Sequence, residues 1–150
     1  GRWMVKRIER IWAMPNKRTF TIKPIAELIE EEIGDEYIDP FPFEYKEDAT
    51  DYLRKVEPQK YGVFDPPYSP RQLKECYKGL GEYDTKSSTW SGWKNLMAEK
   101  VLDKCISFGW NTTGLGRGRG FEITRILLVC HGGMHNDTIC TVEHRVQERL

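Results

Sequence analysis

Apolar residues recur along the chain with two spacings. Ile22, Ile25, Ile29 and Ile33 fall on one helical face, with Thr21 as the expected N-cap, Pro24 in the first turn and Gly34 as the C-cap. Upstream, Ile11 to Phe20 reads as irregular or extended, with a turn at Pro15-Asn16. Glu36-Tyr37-Ile38 leads into Asp39-Pro40-Phe41 as a short strand, and Asp48 opens a short helix whose apolar members are Tyr52, Leu53 and Val56. The run Tyr61-Gly62-Val63-Phe64 is a strand that stops at Asp65. Ser69-Pro70 then starts a helix over Arg71 to Leu80, and Gly79 to Ser88 is loop. Trp90, Trp93, Met97 and Val101 recur at helical spacing after a cap at Ser88 and read as core. Cys105 to Phe108 is a strand, Asn111 to Gly120 a glycine-rich loop, and Phe121 to Val129 with Thr138 to Val142 a hairpin. Helices alternating with strands, closed by an antiparallel pair, predict an α/β fold with a mostly parallel sheet and an antiparallel edge.

A length of 150 residues suits a single domain, long enough to carry its own core. No apolar run approaches the ~20 residues of a membrane span, so a soluble, cytoplasmic protein is expected and a membrane partner is not. Cys76, Cys105, Cys130 and Cys140 are scattered and read as reduced, mostly buried thiols. The 23 basic and 23 acidic residues balance, so the chain lacks the overall basicity of many nucleic-acid binders. Their distribution is uneven. Arg2, Lys6, Arg7, Arg10, Lys17, Arg18 and Lys23 make the start basic, and Glu27 to Glu36 is acidic.

The chemistry concentrates at Asp65-Pro66-Pro67-Tyr68. Two consecutive prolines cannot donate to a ladder, and their locked φ angles hold the loop extended. What remains is a carboxylate, bare carbonyls and an aromatic ring, which together suit a planar group bearing an NH2, such as a flipped nucleobase. The structural alternative is a plain strand terminator and turn. Placement between a strand and a helix favours ligand binding, because ligands in open α/β sheets collect at the carboxyl ends of strands.

Val63-Phe64-Asp65-Pro66-Pro67-Tyr68-Ser69 resembles the catalytic motif of S-adenosylmethionine-dependent amino methyltransferases, and the Asp form resembles the DNA adenine-N6 branch, of phage or mobile-element type. The resemblance implies a Rossmann-like class I methyltransferase sheet and DNA as partner. It implies that Asp65 and the Pro66 carbonyl orient the adenine amine, that Pro67 stiffens the loop, and that Tyr68 stacks on the base. Phe20-Thr21-Ile22-Lys23 is similar to the helix start that approaches the methionine end of the cofactor. Ile38-Asp39-Pro40-Phe41 is similar to the opening of the cofactor strand, with Asp39 facing the methionine amino group. Glu47-Asp48-Ala49 is similar to the acidic motif that meets the cofactor adenine. The family's grip also fits RNA or a protein amide as substrate, and an inactive DNA- or protein-binding relic is the non-enzymatic alternative.

One part of the family pattern has no counterpart. Phe41 is followed by Pro42-Phe43-Glu44-Tyr45-Lys46-Glu47-Asp48, with no glycine turn, no helix and no ribose-binding acid. A parallel crossover needs at least ~10–12 residues, so the cofactor crossover is expected to be deleted or missing near residues 40–43. No separate target-recognition domain is visible, and a homodimer is one way to supply specificity.

Two further constellations carry less. The loop Gly114-Leu115-Gly116-Arg117-Gly118-Arg119-Gly120 leads into a strand instead of a helix, so it is no dinucleotide cradle. Arg117 and Arg119 there read either as contacts to a nucleic-acid backbone or as a solvated loop. Cys130, His131, His135, Cys140 and His144 straddle the hairpin, where alternation throws neighbours to opposite faces, so no metal is expected and the histidines flank a turn.

Overall fold

A computed structural model describes residues 7–44, 47–67, 87–133 and 135–146, the side chains of 87 and 88 excepted. The elements are β1 (Arg7–Trp12), α1 (Lys23–Glu32), α2 (Ala49–Lys55), β2 (Gln59–Phe64), α3 (Ser87–Lys100), β3 (Val101–Gly109), β4 (Phe121–Cys130) and β5 (Thr138–Arg145). They build a mixed α/β structure around one open five-stranded sheet of order β1-β4-β5-β3-β2. β1 runs parallel to β4 and β2 parallel to β3, whereas β5 is antiparallel to both of its neighbours. Four strands therefore point one way.

The antiparallel strand is central, not an edge. The hairpin sets β5 beside β4, while the connection from β3 to β4 skips one position, and β5 fills the gap. Cys140 to Glu143 is buried on both faces in consequence. β1 and β2 are the edges, and β1 overlaps at Ile11 and Trp12 the stretch Ile11 to Phe20 that reads as irregular or extended. Its order comes from pairing with β4 and from charge. Glu9 accepts from Arg125 Nε at 2.6 Å, and the same guanidinium reaches Glu32 on α1 at 2.8 Å. Neither partner is local in sequence.

Alternate residues of the strands feed two apolar layers. Val63, Ile106, Phe108, Leu127, Val129 and Val142 pack against Ile25, Leu28 and Ile29 of α1. Phe64, Cys105 and Phe121 pack on the other face against Leu53 of α2 and Trp93 and Met97 of α3. The helical stripes read from the sequence are thus core, although Val101 opens β3 instead of ending the helix.

Three local expectations change. Thr21 does not cap α1: its hydroxyl donates back to the Arg18 carbonyl at 2.7 Å within a 3-10 turn, and the capping position is Ile22. Gly34 does end the helix, with φ +76° and its N–H on the Ile29 carbonyl at 2.9 Å. Asp39-Pro40-Phe41 is not a strand. Only Ile38 bridges, in parallel to Gly62, because Pro40 has no N–H and Asp39 Oδ1 takes the Phe41 N–H at 3.1 Å in a tight turn. Among the described residues, the path from Ile38 to β2 carries one helix, α2, capped by Asp48 as expected. Tyr68 and the helix expected over Arg71 to Leu80 lie outside the described residues.

Candidate active site

β2 delivers Asp65, Pro66 and Pro67 to the carboxyl end of the sheet, where they line a cavity of about 700 Å³. The size suits a small organic ligand. Desolvation raises the Asp65 carboxyl, a hydrogen bond with Thr19 lowers it, and the nearby Asp39 charge raises it again, leaving it pushed up to about 7. Asp39 is pushed up to about 6 by burial, against the opposing pull of the Phe41 N–H. The Pro67 carbonyl is engaged by the Trp90 indole, whose Nε1 donates at 2.6 Å. No described residue donates to the Pro66 carbonyl. Asp65, Pro66 and Pro67 thus line the cavity together, with the Pro67 carbonyl tied to α3.

Phe20, Thr21 and Phe41 line the same cavity as Asp65. Phe41 is anchored in the core, its ring 4.8 Å from Trp93 and 5.8 Å from Phe64. Phe20 packs on Phe108 at 5.1 Å. The other expected cofactor residues are elsewhere. Lys23 is exposed on the first turn of α1, and Asp39 and Pro40 lie behind Phe41 without reaching the cavity. Asp48 Oδ1 accepts from Thr50 N at 2.8 Å and Asp51 N at 3.2 Å, so its carboxylate is occupied in capping α2. Ala49, the first residue of that helix, is fully buried. Of the expected cofactor residues, Phe20, Thr21 and Phe41 therefore line the cavity, and Lys23, Asp39, Pro40, Asp48 and Ala49 do not.

Arg117 and Arg119 are not at the cavity. They precede β4, at the end of the sheet opposite Asp65, and both are engaged. Arg119 donates to Asn95 Oδ1 at 2.7 Å, Ser91 Oγ at 3.0 Å and the Leu115 carbonyl at 3.0 Å, and Arg117 pairs with Glu122. The cations at the cavity are Lys17 and Arg18, the latter with its guanidinium 4.2 Å over the Phe43 ring. Phe43 and Trp110 line the cavity while about half exposed.

The hairpin adds Asn136, Asp137 and Thr138 to the lining. His131 clamps it. Its Nδ1 lies 2.9 Å from the Ala13 carbonyl, which can only accept, so the proton sits on Nδ1 and Nε2 takes the Thr138 hydroxyl at 2.9 Å. Asp137 Oδ1 accepts from His131 N at 3.2 Å. One ring nitrogen thus ties the turn to the end of β1, and the other spans the turn.

Sequence reasoning missed Lys17, Arg18, Phe43, Trp110 and the hairpin residues. For two of these a signal existed. Trp110 follows β3 and Asn136 follows β4, and residues just beyond strands parallel to β2 share its carboxyl end. No protein-family model matches the chain, and no curated protein does either.

Proposed function

We propose that the chain transfers a methyl group from S-adenosylmethionine to the N6 amine of adenine in DNA, on a Rossmann-like sheet. The observation that carries this reading is the joint presence, in the lining of one cavity, of Asp65, of Pro66, whose carbonyl has no described donor, and of partly exposed aromatic residues. An adenine amine is a weak nucleophile because its lone pair is delocalised into the ring. Accepting its two N–H bonds at Asp65 and Pro66 favours a more tetrahedral nitrogen and aims the lone pair. Phe20, Thr21 and Phe41, backed by Asp39, would hold the methionine end of the cofactor, which when bound supplies a sulfonium-activated methyl group. Positioning then provides most of the rate gain. The base must leave the duplex, at a cost of a few kcal/mol, and Phe43 or Trp110 offers a face for it.

The test is incubation of duplex and single-stranded DNA with protein and labelled cofactor, followed by nucleoside digestion. N6-methyladenine should form with the wild type and vanish with Asp65→Ala. Its absence with the wild type, or its persistence in the variant, would refute the assignment. Label transferred only to RNA or protein amides would redirect it to those substrates.

A second reading, a base-binding module that no longer transfers methyl, is favoured by one specific observation. Asp48 is committed to capping α2 and Ala49 to the core, so the adenosine end of the cofactor lacks its expected partners. Saturable cofactor binding in calorimetry would exclude it.

A further inference from the structure

β1 is an edge strand, and its free side has a self-complementary pattern. Ala13 N donates to the Cys130 carbonyl at 3.0 Å. Odd-numbered residues of the segment therefore turn their backbone groups toward β4, and Ile8, Arg10, Trp12 and Met14 turn theirs outward. Ile8 (72% exposed), Ile11 (45%), Trp12 (61%) and Met14 (69%) are four of the eight exposed large hydrophobics among the described residues. Edge strands are ordinarily protected by charge or cover. The 110–120 connection, which holds Leu115 in the α3-side core and hydrogen-bonds Glu143, reaches β5. On that face the β1 residues Ile8 and Trp12 are exposed, and their β4 partners Ile126 and Cys130 are only partly buried.

We propose that β1 pairs antiparallel with β1 of a second copy, about a two-fold axis at Ile11, giving one continuous ten-stranded sheet. A two-fold axis perpendicular to a sheet preserves its faces, so only residues of like parity oppose each other. Centring on Arg10 would set Arg10 against itself, and centring on Glu9 would oppose two glutamates, both destabilising. Centring on Trp12 would push Ile8 past Pro15. Centring on Ile11 sets Ile11 against Ile11, Ile8 against Met14, and Arg10 against the Trp12 ring as a cation–π pair. It also makes Arg10 with Trp12 a hydrogen-bonded pair, as the outward direction of their backbone groups requires. The two cavities then open at opposite ends of the joined sheet, so each copy keeps a separate site.

The test uses the full chain. Sedimentation velocity from roughly 1 to 100 µM, where mass action governs a moderate dimer, should show twice the monomer mass. Ile11→Lys, which sets two like charges on the axis, should return it to monomer. Independently, Ile11→Cys should cross-link under mild oxidation well above the unsubstituted protein, because a non-hydrogen-bonded pair sets Cα atoms ~4.5 Å apart, within disulfide reach. Arg10→Cys, two residues out of register with itself, should not. A monomer at every concentration, or equal cross-linking of the two cysteine variants, would overturn the proposal.

Discussion

The Trp90 indole of α3 donates to the Pro67 carbonyl at 2.6 Å, joining a helix to the loop that ends β2 across 23 residues of sequence. That bond leaves the Pro66 carbonyl as the next acceptor in line. Trp90 is itself held edge-on to Trp93, ring centroids 5.4 Å apart, and Trp93 Nε1 donates to Thr50 Oγ1 at 3.1 Å. Replacing Trp90 with Phe keeps most of the packing and removes the donor. The expected loss of stability is about 0.5–1.5 kcal/mol, the usual worth of one such bond. Methyl transfer should fall by more than this loss explains, with base affinity less affected, when thermal unfolding and single-turnover rates are compared.

Asp65 makes the site pH-dependent near neutrality. Its carboxyl is pushed up to about 7, and in the proposed reaction the amine-accepting form would be the carboxylate. Activity should therefore fall as pH drops through about 7, approaching tenfold per unit below it. The stability sign is opposite to that of a salt-bridged carboxylate. The folded state binds the proton more tightly than the unfolded chain, so between roughly pH 4 and 7 stability declines as pH rises. Asp65→Asn should remove its share of this decline, leaving the share of the Asp39 carboxyl, which is pushed up to about 6, and should gain at least about 1 kcal/mol at pH 8 relative to pH 5, one pKa unit being worth about 1.4 kcal/mol. Denaturant melts at the two pH values check the sign.

Lys17 and Arg18 line the cavity, whereas Arg117 and Arg119 brace the opposite end. If DNA approaches the cavity, Lys17→Ala and Arg18→Ala should each weaken binding and reduce the salt slope by about 1. Arg119→Ala should leave that slope unchanged and lower thermal stability, because it removes bonds to Asn95, Ser91 and Leu115. Fluorescence titrations of labelled DNA at several salt concentrations separate the two outcomes.

Gly114 is required by its neighbour. It has φ +53°, and a Cβ there would overlap the Glu143 carboxylate. That fully buried carboxylate accepts Leu115 N at 2.7 Å and Gly116 N at 2.9 Å, fixing the β3–β4 connection to β5. Burial raises the Glu143 carboxyl, and the two backbone donors with Lys94 and Arg119 oppose that rise. Gly114→Ala should cost about 2–4 kcal/mol, from the left-handed backbone and the displaced buried carboxylate together. Urea melts measure it directly.

What the sequence determined by itself was local. Asp48 as a cap, Gly34 as a helix end, the helical stripes and the rigid stop at Asp65-Pro66-Pro67 all follow from short-range chemistry that acts within a few residues. The tertiary structure decided the rest. β1 became a strand because β4 and Arg125 lie far along the chain, and β5 became central because the β3–β4 connection skips a position. Asp39 and Asp48 kept their acidic motifs in sequence, yet the fold turned one carboxylate onto Phe41 and the other onto a helix end. The Asp65 loop was legible, but its surroundings were not. Thr19, Lys17, Trp110 and Asn136 meet it only where separate strand ends converge, and pairing across the sheet, not spacing along the chain, fixes that convergence.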